Sequence, residues 1–578
     1  MLGSDIMKRF ESLFAIRKGS IEGTWNEIEM YISPMRSGRF YSPQQSEFEV
    51  RSRRPEVWDL TAIKGLSILT ASMQSSLISP AIRWFNFIFK DPALDEDKAA
   101  KTWLDDCTDI LFDQLQDSNF NLEAASCFAD LGGFGNSCLT LETEDETQWK
   151  GPEWNAVPLR EFYFEMDYRG KPEIFYKFLQ WTPVQIVSKW GKPDTRSTIP
   201  EYILQRAESG EGSNQKIDIV YCIYRRKDAN GKPYKEVGDN VNLAPKERPW
   251  GCKYVIRGSA GSSNANEGGG ELGEEGGYYR MPAMVTRWER LSGSQWGFGP
   301  GNVALPTVKY LNAWMETEKA AAEKAVDPPI LSTERGLLSP PDLRPGGMNV
   351  VRTMDDMKAF ENKANFQAAY GTITELRQMV NEVFKVEDLK LKESPAMTAM
   401  EVQVRYEMMT RVLGPPAVRI QSDLLSPAIK NLFHMMARYG QFKPPPAQVV
   451  DNERGYDIEY QGPLMKAQRA QEVASMERLA GIAMNMVKVF PQVTYVFDPV
   501  HFIMEAAERL SVPASVLNDE ATVKRKEAQA QADQNLQRAQ VASEIAKNHS
   551  QAQAQQAQAQ SGAQEGTSLM TGATQVEQ

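Results

Sequence analysis

Asp105, Asp106, Asp109 and Asp113 crowd one helical pattern. Carboxylates in such a cluster can hold a divalent metal, and a metal-held water attacks phosphodiesters. A metal-dependent phosphohydrolase or nuclease acting on DNA through Asp105, Asp106 and Asp109 is therefore one reading. No histidine or second acidic motif accompanies the cluster, so a solvated helical face is the plainer one. The three histidines, His434, His501 and His549, lie far apart and outside any H-x-x-x-H or H-E-x-x-H spacing. The chain has no Walker A sequence, no G-x-S-x-G elbow and no cysteine–histidine signature. Gly297-x-Gly299 lacks the later glycine and the preceding strand of a dinucleotide loop. Residues 258–277 hold eight glycines but also four glutamates, and lack phosphate-loop spacing; they read as a flexible loop without one fixed conformation. Together these features speak against an enzyme, and no metal or cofactor is expected.

The chain has 578 residues, which implies about two to four domains. Its net charge of −11 argues against a protein that coats DNA, because tight phosphate binding needs a basic face. A duct through which DNA slides is compatible with that charge, since strong phosphate contacts would act as a brake. The five cysteines are scattered without C-x-x-C, as free thiols in a reducing cytoplasm would be. No run reaches the roughly 18 apolar residues of a membrane helix, and the N-terminus lacks the apolar core of a signal peptide. No membrane partner is expected.

These residues are positioned by an ordered set of elements. Helical patterns cover 5–33, 56–79 and 95–130. Residues 84–89 alternate as a strand. Strand patterns return at 138–142, 154–159, 162–167 and 173–181, followed by a pair at 217–226 and 234–236. Residues 56–79 carry their stripe on Trp58, Ile63, Leu66, Leu69, Met73 and Leu77.

The middle of the chain reads GFGPGNVALPTVKYLNAWMETEKAAAEKAVDPPIL over 297–331. A Gly/Pro loop opens a long helix, and Asp327-Pro328-Pro329 closes it. Val308, Leu311, Met315, Ala322 and Val326 form one stripe, while Glu316, Lys319 and Glu323 share charges on another face. Ala320, Ala321, Ala322 and Ala325 make the lower half thin. Such a rod has too little apolar surface to centre a globular core, but it stands well if copies pack beside it. A second pattern occupies 397–440: a Thr-Ala-x-Glu-Val helix start at Thr398 with a capping box, a Leu-Gly-Pro break at Gly414, and an acidic-Leu-Leu-x-Pro helix through Asp423.

Both patterns, in this order, resemble the head-to-tail connector (portal) proteins of short-tailed bacteriophages, and the likeness in element order runs from about residue 5 to about 520. The resemblance implies an α+β, portal-like fold, mainly α-helical, with an antiparallel β wing region, long stem helices and a helical C-terminal crown. Its parts would be N-terminal helices and wing (1–296), first stem helix (297–326), clip (327–363), second stem helix (364–386), tunnel loop (387–395), wing/core helices and last strand (396–462), crown (463–518) and an Ala/Gln-rich tail (519–578), helical or disordered. It implies a ring of twelve copies at one vertex of the virion capsid, assembled in the host cytoplasm. The implied partners are the terminase large subunit, a tail adaptor protein, the major capsid and scaffolding proteins, and transiently bound double-stranded DNA. Lys319, Lys324, Lys390 and Lys392 are then candidates for weak, reversible phosphate contacts in the channel; each also reads as a solubility or salt-bridge lysine. An internal scaffolding protein suits the Ala/Gln tail but not the aromatic-rich sheet.

Overall fold

In the computed structural model the described residues are, with short gaps, 1–34, 57–143, 148–210, 215–235, 242–258, 270–359, 366–389, 413–450, 455–460, 472–483, 502–507 and 520–570. The chain divides into two units, Met1–Asp91 with Trp103–Ser475, and Pro92–Thr102 with Met476–Gln578. The N-terminal helical pattern becomes two helices, α1 (Gly3–Ser20) and α2 (Glu22–Tyr31), which break at Ile21. The second becomes α3 (Thr61–Leu77), with Leu66, Leu69 and Met73 buried. The third divides into α4 (Lys98–Asp117) and α5 (Phe120–Phe134), and α5 runs through Gly132 and Gly133 before Gly135 ends it in the left-handed region at φ 79°.

The region expected as the wing holds a five-stranded antiparallel sheet in the order β4 (Phe162–Met166), β5 (Pro172–Trp181), β6 (Ile217–Arg225), β7 (Trp250–Ile256) and β8 (Glu271–Tyr278). Successive side chains of a strand point to opposite faces. Val220, Cys222 and Tyr224 of β6 accordingly meet Ile6 and Phe10 of α1. Ile217 and Ile219 meet Ile186, Trp190 and Ile203 of two further helices, α6 (Pro183–Trp190) and α7 (Glu201–Ser209). With both faces covered, β6 is an apolar run broken only by Asp218. The sequence reading missed α6 although its signal was present. Thr182 and Gln185 form a capping box, Thr182 N donating to Gln185 Oε1 at 2.9 Å and Gln185 N to Thr182 Oγ1 at 3.4 Å.

Two expectations are corrected here. β6 pairs with β5 and β7, whereas Tyr234 and Lys235 lie outside any strand. Of the segment 258–277 read as a flexible loop, 259–269 lie outside the described residues, and the remainder ends in β8, where Leu272 is buried and the backbone pairs with β7. Its glycines fit close approach: a Cβ on Gly276 would lie 2.7 Å from Cys252 Sγ, and one on Gly273 2.4 Å from Trp190 Nε1. Its glutamates bind cations, Glu275 pairing with Arg226 at 2.6 Å and Glu271 with Lys253 at 3.1 Å.

A smaller sheet, β3 (Glu153–Ala156), β2 (Asn136–Glu142) and β9 (Ala283–Arg287), lies against α5. β1 (Phe85–Phe89) pairs antiparallel with β14 (Tyr456–Tyr460), the expected last strand, and Phe87 lies 5.0 Å from the ring of Phe433. The hairpin β10 (Glu289–Arg290) and β11 (Gly297–Phe298) precedes α8 (Pro300–Val326). In the segment expected as the clip, β12 (Ile330–Ser332) pairs with β13 (Met357–Ala359). The segment expected as a second stem helix holds α9 (Phe366–Val383). It is followed by a helical turn at Val386–Leu389, so the start of the expected tunnel loop is helical, with Val386 and Leu389 buried. Residues 413–420 are helical, so the expected break at Gly414-Pro415-Pro416 lies in helical backbone. A π turn, Gln421–Leu425, and α10 (Ser426–Arg438) continue it. The helix start at Thr398 and most of the crown lie outside the described residues. In the second unit, Glu520–Met570 is a 51-residue helix, with every described side chain from Ala528 to Gln556 exposed.

Candidate functional site: the stem helices and their anchorage

The stem begins where three pieces of backbone meet. Gly299 caps α8 and its N–H donates to Asn302 Oδ1 at 3.0 Å. Pro300 stands at the first helical position, where its missing N–H has no intrahelical acceptor to serve, whereas Pro306 lies inside the helix and removes one backbone hydrogen bond from it. Gly301 lies against Gly133 of α5, where an added Cβ would stand 2.0 Å from the Gly133 carbonyl oxygen. A Cβ added to Gly299 would likewise stand 2.7 Å from the Gly135 Cα. Asn136, fully buried, closes the seam: Gly297 N donates to its Oδ1 at 2.7 Å, and its Nδ2 donates to the Gly297 carbonyl at 3.2 Å.

From that root α8 buries Ala304, Leu305, Val308, Leu311 and Asn312. Leu311 packs on Ile373 and Leu376 of α9, with Trp314 and Met315 at the margin. One polar junction lies at this level. Asn312 Oδ1 accepts from Trp58 N at 2.9 Å and Asp59 N at 3.3 Å, and its Nδ2 donates to the Val308 carbonyl at 2.9 Å. Arg377 of α9 donates to Asp59 Oδ2 at 2.8 Å. Asn312, Asp59 and Arg377 thus tie both stem helices to the start of α3. The sequence reading missed them; the available signal was a polar residue inside the Val308–Leu311–Met315 stripe.

Burial alone would raise the Asp59 carboxyl, but hydrogen bonds from Thr61 and the Arg377 guanidinium outweigh it and hold it below its ordinary value. A carboxylate held low contributes stability above its unfolded pKa, near 4, and loses it as pH falls through the lower folded value. Thermal melting across pH 7 to 3 should therefore show the wild type losing this contribution on acidification. Asp59→Asn should be less stable at neutral pH and should lack that part of the acid loss. Coincident, parallel pH profiles for the two proteins would remove Asp59 from this role.

Beyond the junction the stem is bare. From Ala313 to Val326 no residue is buried, and Val326 is 88% exposed. The lower members of the expected stripe, Ala322 and Val326, are exposed, as are Ala320 and Ala325. Lys319 packs over the Trp58 ring at 4.0 Å and pairs loosely with Glu323 at 3.9 Å. Lys324 is exposed on the last turn. Lys390 and Lys392 lie outside the described residues. The clip carries exposed apolar side chains at Leu331, Leu338 and Met348, and Asp356 braces it by accepting from the Thr333 hydroxyl at 2.8 Å and from Thr353 N at 2.9 Å.

The aspartate cluster is a paired helix face. Arg83 bridges Asp109 at 2.7 Å and Asp105 at 3.4 Å, and Lys443 meets Asp106 at 2.9 Å. His434 is half-buried and shares a hydrogen bond with the Tyr456 hydroxyl at 2.8 Å through Nε2. None of the five cysteines is in a disulfide and all are buried, and burial pushes the Cys107 thiol up to about 12.

A helix rooted in one chain and left bare past its midpoint defines a component of an assembly. The chain belongs to the family of bacteriophage head-to-tail connecting proteins, whose model matches residues 4–517. A probable portal protein of Bordetella phage BPP-1 is 26% identical over 504 residues, 85% of each chain. The portal protein of Salmonella phage epsilon15 is 23% identical over 548 residues, 92% of this chain and 93% of that one. Among solved structures, a chain in the virion of a native gene transfer agent particle has 9% identity and a TM-score of 0.36, covering 72% of this chain and 86% of that one. A chain in the neck of an empty particle of that kind has 10% identity and a TM-score of 0.36, covering 75% and 90%. The family assignment rests on the sequence match. The family is structural, and its place is the head-to-tail junction of the virion.

Proposed function

We propose that twelve copies of this chain close into a ring at one capsid vertex, with the stem helices side by side around a channel for double-stranded DNA. The observation that carries this reading is the bare lower half of α8, whose Ala320, Ala322 and Ala325 leave room for a neighbouring helix. Apolar and small surfaces of this extent are stabilised when a second surface excludes water from them. The ring docks the terminase large subunit during packaging and the tail adaptor afterwards, and meets the major capsid and scaffolding proteins at its rim. Its work is mechanical and electrostatic, with no covalent step. An acidic chain keeps DNA from adhering to the bore, and lysines such as Lys324, Lys390 and Lys392 supply brief phosphate contacts.

Electron micrographs of the purified protein should show rings with a central hole, and rotational averaging reads the copy number. A folded monomer at every concentration, with capsid components present, would overturn the reading. The double variant Lys390→Ala/Lys392→Ala should keep the ring and change packaging or retention of DNA. Wild-type packaging and retention by that variant would remove these two lysines from the channel.

A further inference from the structure

Arg290 of β10 and Arg419, in the helical segment before the π turn, stand beside one carboxylate. Arg290 Nη2 meets Asp423 at 3.3 Å. Arg419 lies one helical turn before Asp423, and its Nη1 donates to the Trp288 carbonyl. A third guanidinium, Arg287, is buried and donates to the carbonyls of Gly170 and Gln295, each at 3.2 Å. Burial, with Arg290 and Arg419 close by, brings Arg287 down to about 10. Three guanidiniums thus share Asp423, in a chain whose net charge is −11. Apolar side chains border them. Leu291, next to Arg290, is 47% exposed. Tyr168, 88% exposed, sits on the β4–β5 turn, where a Cβ on Gly170 would stand 3.7 Å from Arg290 Nη1. Arginine and tyrosine beside a bare leucine make the composition of a protein contact. A phosphate backbone would take the cations and leave Tyr168 and Leu291 in water.

The same chain carries the complement on α9. Glu375, Met379 and Glu382 fall at i, i+4 and i+7, which makes them one stripe, and all three are exposed. Met379 is 55% exposed. Arg377, the one cation in the sequence of α9, is turned away to Asp59. Among the described residues neither glutamate is ion-paired, Glu382 accepting from Gln378 Nε2 at 3.1 Å. On the ring reading above, we infer that these two surfaces meet between neighbouring copies of the chain. Glu375 and Glu382 of one copy pair with Arg290 and Arg419 of the next, and Met379 lies against Leu291. Opposite charge on two surfaces that each bare an apolar side chain selects a second copy as the occupant. Because the two surfaces differ, the contact is head-to-tail, the kind that can close into a ring. Guanidinium–carboxylate forks fix its orientation.

Two full-length variants test the pairing, Arg290→Glu/Arg419→Glu and Glu375→Arg/Glu382→Arg. Each alone should form about tenfold fewer rings than the wild type at the same concentration, because like charges then face each other. Sedimentation and electron micrographs read the yield. Mixed in equal amounts, the two variants should form rings again, alternating around the circle, since each supplies the charge that the other lacks. Glu375 and Glu382 are exposed, so their reversal leaves the fold of the single chain intact, and thermal melting checks both variants. If melting shows that the reversal beside Asp423 disturbs the fold, Arg290→Gln/Arg419→Gln takes its place. Added to Glu375→Arg/Glu382→Arg, it should recover rings by relieving the repulsion. Wild-type ring yield from Glu375→Arg/Glu382→Arg overturns the pairing and leaves the ring itself standing, as does failure of the mixture or of the glutamine rescue. A wild type that forms no rings overturns the ring and the pairing together.

Discussion

Gly301→Ala should destabilise the chain by about 2–4 kcal/mol, the cost of forcing a backbone apart where there is no side chain to yield. The new methyl carbon would sit 2.0 Å from the Gly133 carbonyl oxygen and 2.8 Å from its carbon. Both are main-chain atoms of a buried helix, so the accommodation must come from the seam between α5 and α8. Helix propensity works the other way, since alanine is favoured over glycine inside a helix by about 1 kcal/mol; the collision outweighs it. Gly371 in α9 supplies the contrast. An added Cβ there meets nothing within 4 Å, so Gly371→Ala should leave the isolated chain as stable or raise its stability by up to about 1 kcal/mol. Denaturant titration of both variants decides the matter. If Gly301→Ala matches the wild type, the seam is not closed as described, and the root of the stem must be looser.

Arg17→Ala should be the most damaging single change in the wing. The Arg17 side chain is 2% exposed and inserts between α1 and the β4 region. Its Nε donates to Glu22 at 2.7 Å, and Nη1 donates to the carbonyls of Leu159 at 3.0 Å and Phe162 at 2.9 Å. Nη2 reaches the Arg160 carbonyl at 2.9 Å and the Tyr163 hydroxyl. The guanidinium carbon also lies 3.5 Å from the centre of the Tyr163 ring. Truncation leaves the Glu22 carboxylate buried without its cation and strands three carbonyls, a loss of about 3–5 kcal/mol. Arg17→Lys should recover little, because an ammonium cannot reproduce a planar fork that serves five acceptors. Arg17→Leu/Glu22→Leu should be milder than Arg17→Ala, since it removes both charges together. Unfolding midpoints for the series check this; equal losses for Arg17→Lys and a surface Arg→Lys control would dismiss the hub.

The two features differ in how much of them the sequence carries. The stem helix is legible because its signals are local: glycine and proline at one end, Asp327-Pro328-Pro329 at the other, and a regular apolar stripe between. Its exposed lower half is legible as alanine. Arg17 is not legible, because it stands in the last turn of α1, where a basic residue is expected on the surface, and most of its acceptors lie more than 140 positions away. The same holds for Asn312 and Asp59, which meet across 253 positions. The Gly-rich segment misleads for a third reason. Its glycines signal freedom when read alone, but in β8 they are the residues that fit beneath Cys252 and Trp190. Of the candidate lysines, Lys319 is held over Trp58, a contact that spacing along one helix cannot reveal.

The pairing of β1 with β14 sets a schedule for synthesis. Phe85 is matched with Tyr460 and Phe89 with Tyr456, so the first strand has no partner until nearly the whole wing, stem and clip have been made. At about 5–20 residues per second a ribosome needs roughly 20 to 75 s to cover that distance. For that interval the stretch Phe85-Asn86-Phe87-Ile88-Phe89 presents an aromatic, uncharged edge of the kind that pairs with copies of itself. Neighbouring chains on one message are the nearest such copies, so yield in an expressing cell is limited by how long this ribbon goes uncovered, and slowing translation before residue 456 should cost more soluble protein than slowing it after residue 460.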